Sequence, residues 1–310
     1  MRGGGEFAPR ISPLSDSMEE GHVIHDLIYD VGMNNGDDTA YYLHRGFRVV
    51  AVDANPQACA TVSQRFQGAL DNGRLTILNT GITAEPGRAD FWVCETHPEW
   101  SSFQRPLAAR DASPHRCVQV PCRTFDSILE QYGVPYYLKV DIEGNDLLCI
   151  HALRTQTDLP RYLSLETDRI DESVQALASL GYTGYKCISQ FHFLPLQLPP
   201  VDEQRQVEFW YRLLTRRTFP LRLLRRAIGQ AGRDWMAGRC SRARRQGDWV
   251  FPEGASGSFG EDTRGRWLTG DEVRQVYHHY EEARQRGLYS PFWNDKGYSF
   301  WTDLHARRDG

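Results

Sequence analysis

Long apolar runs are missing: no stretch of about 18 apolar residues occurs, so no membrane-spanning helix and no membrane partner are expected. Residues Met1 to Glu20 are rich in Gly, Pro, Ser and charge and lack the apolar core of a signal peptide. Residues 1–20 therefore read as a flexible leader and the chain as cytoplasmic. Lysine is scarce, with Lys139, Lys186 and Lys296 standing among 36 basic residues, the others arginine. Matched cysteine pairs are missing too. Cys117 and Cys122 are the only close pair among seven cysteines, and no second pair completes a zinc site, so reduced structural thiols are expected. No large charge excess exists, and a net charge of −4 gives no global reason to expect nucleic acid as a partner. What is present is ordinary for a globular chain: 310 residues, 40% hydrophobic and 25% charged, enough for one sizeable core with a smaller module or long insertions.

From about Gly21 to Pro200, short apolar runs alternate with amphipathic stretches, the pattern of βα units around a parallel sheet. Strands are expected at Leu27 to Val31, Arg48 to Asp53, Leu75 to Leu78, Tyr136 to Asp141 and Tyr162 to Glu166. Ala89 to Cys94 reads as a short antiparallel addition, and Tyr182 to Ile188 with Phe191 to Leu194 as a closing antiparallel pair. Helices fall at Asp37 to Arg45, Thr124 to Tyr132, Asn145 to Leu153 and Asp171 to Leu180. Gly46 sits where a left-handed cap would end the first helix, and Asn55-Pro56 reads as a cap with proline at the first helical position of the next. The fold class is α/β, a Rossmann-like doubly wound, mostly parallel sheet. Residues 21–200 make that domain and 201–310 a helical, arginine-rich C-terminal extension. Within the extension, Val207 to Arg245 is helical, Phe251 to Gly265 a Gly/Ser loop and Asp271 to Arg286 a charged helix.

In open parallel sheets, ligands bind beyond the carboxyl ends of the strands, beside the topological switch point. Asp30-Val31-Gly32-Met33-Asn34-Asn35-Gly36 occupies that place after the first strand, its glycines allowing a sharp turn close to a ligand. Asp53, at the end of the second strand, is placed to take both hydroxyls of a ribose. The dinucleotide fingerprint is absent, because Asn34 replaces its second glycine, and Asp37 and Asp38 at the helix start would repel a pyrophosphate. S-adenosylmethionine has no phosphate and carries a sulfonium cation, so the same carboxylates favour it over NAD. Further on, Lys139, Asp141 and Glu143 alternate along a strand end and would share one side, with the lysine holding the carboxylates ionised. A salt-bridge cluster that only fixes the strand end is the structural alternative.

These segments together resemble the FkbM family of methyltransferases. The likeness rests on Tyr29 to Thr39 leading into Tyr42-Leu43 and Gly46-Phe47, on Val50 to Pro56, on Leu138 to Asp146 and on Ser164-Leu165-Glu166. Asn79 to Gly87 also resembles the family's third-strand segment, so the likeness runs from Asp26 to Leu194. It implies that Asp30, Gly32, Asn34, Gly36 and Thr39 line the methionine end of S-adenosyl-L-methionine. Asp53 would take its ribose with Ala54 and Asn55 beside it, and Asn79, Thr80 and Gly81 would flank the adenine. Asp141 and Glu143 would face the transferred methyl and the acceptor.

The expected activity is O-methylation of a small hydroxylated acceptor such as a sugar, polyketide or other natural-product intermediate. A hydroxyl must lose its proton, which suits a positioned carboxylate or imidazole. Asp141 is the first choice, with Glu143, Glu166 and His192 behind it, although His192 alternates with aromatics as a packed strand histidine would. Two carboxylates are too few to predict a magnesium ion held against a substrate diol. Trp293, Asn294, Asp295, Tyr298, Trp301, Asp303 and His305 mix aromatic faces with polar groups, as a polyol site or a packed closing segment would. The arginine-rich stretch reads as a solvated surface, with an anionic acceptor or a carrier protein as the alternative partner, and the chain as a whole is compatible with a homo-oligomer. A non-catalytic donor-binding scaffold and an RNA methyltransferase remain the rival readings.

Overall fold

β1 (Ile24–Val31) is buried from Leu27 onward on both faces, the mark of a central strand in a parallel sheet. The computed structural model describes residues 23–215, 218–232, 235, 244–252, 254–287, 292 and 301–309. After β1 come α1 (Asp37–His44), β2 (Arg48–Asp53), α2 (Pro56–Arg65), α3 (Gln67–Asp71) and β3 (Leu75–Asn79). The Asn55 side chain caps α2 by accepting from the Gln57 N–H at 3.1 Å, with Pro56 at the first helical position, as the sequence predicts. β4 (Gly81–Ile82), β5 (Gly87–Cys94), α4 (Arg105–Ala108) and β6 (His115–Arg123) follow, with β6 pairing parallel to β4 and antiparallel to β5 in a separate small sheet.

α5 (Phe125–Tyr132), β7 (Pro135–Val140), α6 (Asp146–Ala152), β8 (Tyr162–Glu166), α7 (Ile170–Ser179), β9 (Gly184–Ser189) and β10 (Pro195–Leu196) complete the βα series. Then come α8 (Asp202–Thr215), α9 (Phe219–Ala227), the hairpin of β11 (Arg245–Gln246) and β12 (Trp249–Val250), α10 (Gly270–Gln285) and β13 (Thr302–Arg307). The main sheet runs β10-β9-β13-β8-β7-β1-β2-β3. β3, β2, β1, β7 and β8 are mutually parallel. Alternation divides the core: Leu27, Tyr29 and Val31 pack with α5, α6, α7 and α10, while Ile28 and Tyr137 pack with α1 and α2.

Two expectations are corrected here. Phe191 to Leu194 is not a strand but the turn between β9 and β10, so His192 does not alternate in a sheet. The antiparallel strand that completes the sheet is β13, inserted between β8 and β9 and antiparallel to both. Residues 201–310 are therefore not wholly an appendage, since their last strand lies inside the sheet of the first 200. Pairing on both edges is what buries Thr302 to Ala306, including Asp303 and His305. Trp293, Asn294, Asp295 and Tyr298, like the leader, lie outside the described residues.

Candidate functional site

A cavity of about 710 Å³ opens at the carboxyl ends of β1, β2, β7 and β8, within the range of small-molecule sites. Its floor is the β1–α1 turn. Gly32 has φ +86°, and a Cβ there would stand 1.7 Å from the Asp141 carbonyl oxygen, so the ends of β1 and β7 touch through this residue. Asn34, in the left-handed region at φ +46°, donates its backbone N–H to Asp53 Oδ2 at 2.9 Å. The Asn55 N–H donates to Asp53 Oδ1 at 2.7 Å. One carboxylate thus ties the β1–α1 turn to the start of α2 while lining the cavity. Burial raises its pKa to about 6 against those two donors.

Ala54, Thr80, Gly81 and Ile82 continue the wall. The Phe103 ring lies so close on Gly81 that a Cβ would meet it at 2.2 Å, and Phe103 packs edge-on against Phe91 at 5.1 Å. This apolar slot beside Asp53 has the chemistry a purine needs next to its ribose. Asn79 is not part of the lining; its side chain donates to the Asp53 and Ala54 carbonyls at 3.0 and 3.2 Å and braces the β2 end.

At the floor lies a charge cluster in which Lys139, Asp38 and Asp141 line the cavity and Asp30 stands behind them. Lys139 Nζ stands 3.4 Å from Asp30, 3.5 Å from Asp38 and 3.4 Å from Asp141, and donates to the Gly32 carbonyl at 3.2 Å. Burial works against the ammonium charge, yet Asp30, Asp141 and Asp38 outweigh it and hold its pKa well above that of an ordinary lysine. Asp38 takes two bonds from the Ser256 N–H, at 2.9 and 3.2 Å, which pins the 251–265 loop to α1. Its pKa rises to about 6 through burial, opposed by Lys139. Asp30 is fully buried and accepts from Thr39 Oγ1 at 2.6 Å. Asp30, Thr39, Gly36 and Asn55 therefore do not line the cavity; they hold up the residues that do, because their side chains or caps are spent inside the fold.

The other end of the cavity is acidic. Glu143, at φ +50° and 9% exposed, receives both Arg110 Nη atoms at 3.3 and 2.8 Å, and its carbonyl accepts from Ser102 Oγ at 2.8 Å. Burial raises the Glu143 carboxyl to about 7, against the Arg110 guanidinium. Glu166 Oε1 accepts from Trp301 Nε1 at 2.8 Å, and burial, followed by Asp141 and Glu143, holds its carboxyl well above the usual range. Asp141 and Asp168 complete the carboxylates, and Phe191, Trp301, and the His97–Trp100 stack at 4.0 Å supply flat faces. Arg110 and the segment around Phe103 escape sequence reading because they come from a loop between β5 and β6 with no motif of its own, and Asp168 because it lies in the turn after β8, beyond Ser164-Leu165-Glu166. His192 lies outside the lining, and burial lowers its pKa to about 4. Of the polar C-terminal residues, Trp301 reaches the cavity, whereas Asp303 and His305 are buried in β13. Among the described residues, no group of three or more His, Cys, Asp or Glu is arranged to hold a metal ion.

Stability should follow these carboxyls. Glu143 at about 7 and Asp38 and Asp53 at about 6 keep protons that the unfolded chain, with values near 4, has already released. Stability contributed in this way is present at lower pH and is lost as pH rises to about 7. His192 and His305, lowered to about 4 and about 3 from 6.5, act in the opposite sense below about pH 6.5. The Tm is therefore expected to fall between about pH 6.5 and 8, measured by differential scanning fluorimetry at constant ionic strength. A flat or rising Tm over that interval would contradict the assignment.

The comparisons with known proteins meet this geometry. A sequence profile of the methyltransferase FkbM domain matches residues 30–195, more than half of the chain. The chain belongs to the FkbM methyltransferase family. No curated protein matches it. Among solved structures, the chain is similar to the precorrin-6y C5,15-methyltransferase from Geobacter metallireducens GS-15 at 14% identity. That match covers 54% of this chain and 70% of the other with a TM-score of 0.32, too low to carry an argument. Family membership makes this an S-adenosylmethionine-dependent methyltransferase, and the matched span includes Asp30 to Asp53 at the floor and the Asp141–Glu143–Glu166 end of the cavity. No helix among the described residues is long and apolar enough to cross a membrane.

Proposed function

We propose that this FkbM-family chain is an O-methyltransferase acting on a hydroxyl of a small, hydroxylated acceptor. The observation that carries the reading is one cavity with two chemically distinct ends: Asp53 and the Ala54–Thr80–Gly81 slot at one, Asp141, Glu143 and Glu166 at the other.

The residues present suit S-adenosylmethionine. Asp53 would hold its ribose and the slot its adenine, while Asp38, which also lines the cavity, would face its cationic amino acid end. When bound, it supplies a methyl group on a positively charged sulfur, a good leaving group. What remains for the protein is alignment, exclusion of water and removal of one proton. Asp141 is the assigned base: it lines the cavity, and its cation Lys139 is shared with Asp30 and Asp38, so its charge is not fully neutralised. Glu143, fixed by Arg110, orients the acceptor. Glu166, whose carboxyl is raised by burial and by Asp141 and Glu143 and is held by Trp301 Nε1, is placed to hydrogen-bond a second hydroxyl. Phe91, Phe103, Trp100 and Trp301 close the walls against water.

Titration calorimetry with S-adenosylhomocysteine and, in parallel, NADH is the first test. Micromolar binding of the former alone, lost in Asp53→Ala, is expected; a folded wild type that fails to bind it sinks the donor site. Isotopically labelled methyl donor is then offered to a panel of sugars, polyols and phenols. The label should appear on oxygen, with Asp141→Asn slowing turnover by roughly 10²–10⁴-fold. Label on nitrogen or carbon alone would overturn the O-methyl assignment.

A further inference from the structure

Among the described residues, none of the arginine-rich stretch lines the cavity, and the charge of this stretch is concentrated to an unusual degree. Residues 209–245 hold eleven arginines and one acidic residue, Asp234, so a formal +10 sits in a chain of net −4 and leaves −14 for the remainder. Within it, α9 (Phe219–Ala227) carries exposed apolar side chains: Phe219 is 68% exposed, Leu223 51% and Leu224 43%. Phe219 and Leu223 stand one turn apart on one face. Arg222 and Arg226, also one turn apart and exposed, flank that face on the adjoining side. Near the end of α8, Phe209 and Trp210 pack edge-on at 5.1 Å, and Trp235 meets Trp210 at 5.0 Å, leaving Phe209 55% and Trp235 53% exposed.

We propose that α9, with the aromatic group at the end of α8, is an interfacial element that seats the protein on a membrane surface bearing anionic lipid headgroups. A helix with exposed Phe and Leu on one side and arginines beside them suits the boundary between acyl chains and headgroups, where both faces are satisfied together. Guanidinium groups pair well with phosphate, and the aromatic side chains suit the same depth. A nucleic acid would meet the arginines but offers nothing to Leu223 and Leu224. A rigid acidic protein would need a groove shaped to side chains spread over two helices and Trp235, whereas a fluid surface needs none. The lack of a spanning segment, from which no membrane partner is expected, does not bear on a helix that lies on the surface.

Flotation of the full chain with vesicles of phosphatidylcholine alone, and with phosphatidylglycerol added, tests the assignment. Binding is expected only with phosphatidylglycerol present and should weaken as salt is raised. Arg222→Gln/Arg226→Gln should bind roughly thirty-fold more weakly, from about 1 kcal/mol per arginine near an anionic surface. Phe219→Ser/Leu223→Ser should lose at least about tenfold even at low salt, through the lost apolar insertion. All variants should retain binding to S-adenosylhomocysteine, which shows that they are folded and keeps this test separate from that of the methyl-transfer reading. Failure to bind anionic vesicles, or equal binding to phosphatidylcholine alone, overturns the proposal. So does full binding by the Phe219/Leu223 variant, which would make the arginines a plain polyanion site.

Discussion

Gly32→Ala is expected to abolish binding of S-adenosylhomocysteine and to lower the Tm by roughly 10 °C. Two costs add at this position. The backbone sits at φ +86°, where a side chain is strained, and the new methyl would lie 1.7 Å from the Asp141 carbonyl oxygen. The strain alone costs on the order of 1–3 kcal/mol. The overlap is with backbone, so no side chain can turn aside, and the ends of β1 and β7 must separate. Overpacking of this kind costs about 1–3 kcal/mol more, and at roughly 2–4 °C per kcal/mol the sum gives the stated drop. The separation moves Asp141 and loosens the turn whose Asn34 N–H reaches Asp53, so both ends of the cavity are disturbed together. Gly46→Ala is the control. Gly46 has a similar φ of +90° but nothing within 4 Å of the added methyl, so it should cost only the strain and leave ligand binding intact. Equal Tm losses in the two variants, or wild-type ligand affinity in Gly32→Ala, would show that the strand ends do not depend on this contact.

Much of the framework was legible because burial writes itself into residue type. β1, β2, β7 and β8 are covered on both faces and read as continuous apolar runs, and Asn55-Pro56 announced the start of α2 through local chemistry alone. β6 was missed because half of HRCVQVPCR faces away from its small sheet, so arginine, glutamine and histidine interrupt the pattern. β13 was missed for a different reason: its place is set by two partners more than a hundred positions earlier in the chain, which no local pattern reports.

The site divides in the same way. Gly32 and Asp53 were legible because the turn beyond a first parallel strand has fixed demands. Asp30 and Thr39 bond to each other behind the cavity lining, a distinction of one layer that spacing cannot make. Arg110 was invisible, since it reaches Glu143 only through the fold of a long loop in which Asp111 and Ala112 take left-handed conformations.

Lys139→Met should destabilise the protein by about 3–5 kcal/mol at about pH 7.5, because removing one member of a buried charge cluster strands the others. Asp30, Asp38 and Asp141 all lie within 3.5 Å of the ammonium, and Asp30 and Asp38 are buried. Methionine matches the stem in length, so the loss is of charge more than of volume. Without the cation, the carboxyl of Asp38, already near 6, moves higher, and the folded chain gains further from each proton it takes up. The deficit against wild type should therefore shrink as pH falls from about 7.5 to 5.5, because a carboxyl whose folded pKa is raised is penalised only where the unfolded chain has lost its proton. Urea midpoints for both proteins at the two pH values measure this directly. Asp38→Asn added to Lys139→Met should recover part of the loss, since it removes one of the stranded charges, and the pair should be far from additive. Methyl transfer should fall further than stability explains, because Asp141 loses the group that positions it. A deficit that stays the same at both pH values, with no recovery from Asp38→Asn, would mean that methionine merely packs badly beneath the turn. Lys139 would then be a spacer, and Asp141 would have to be positioned from the open side of the cavity instead.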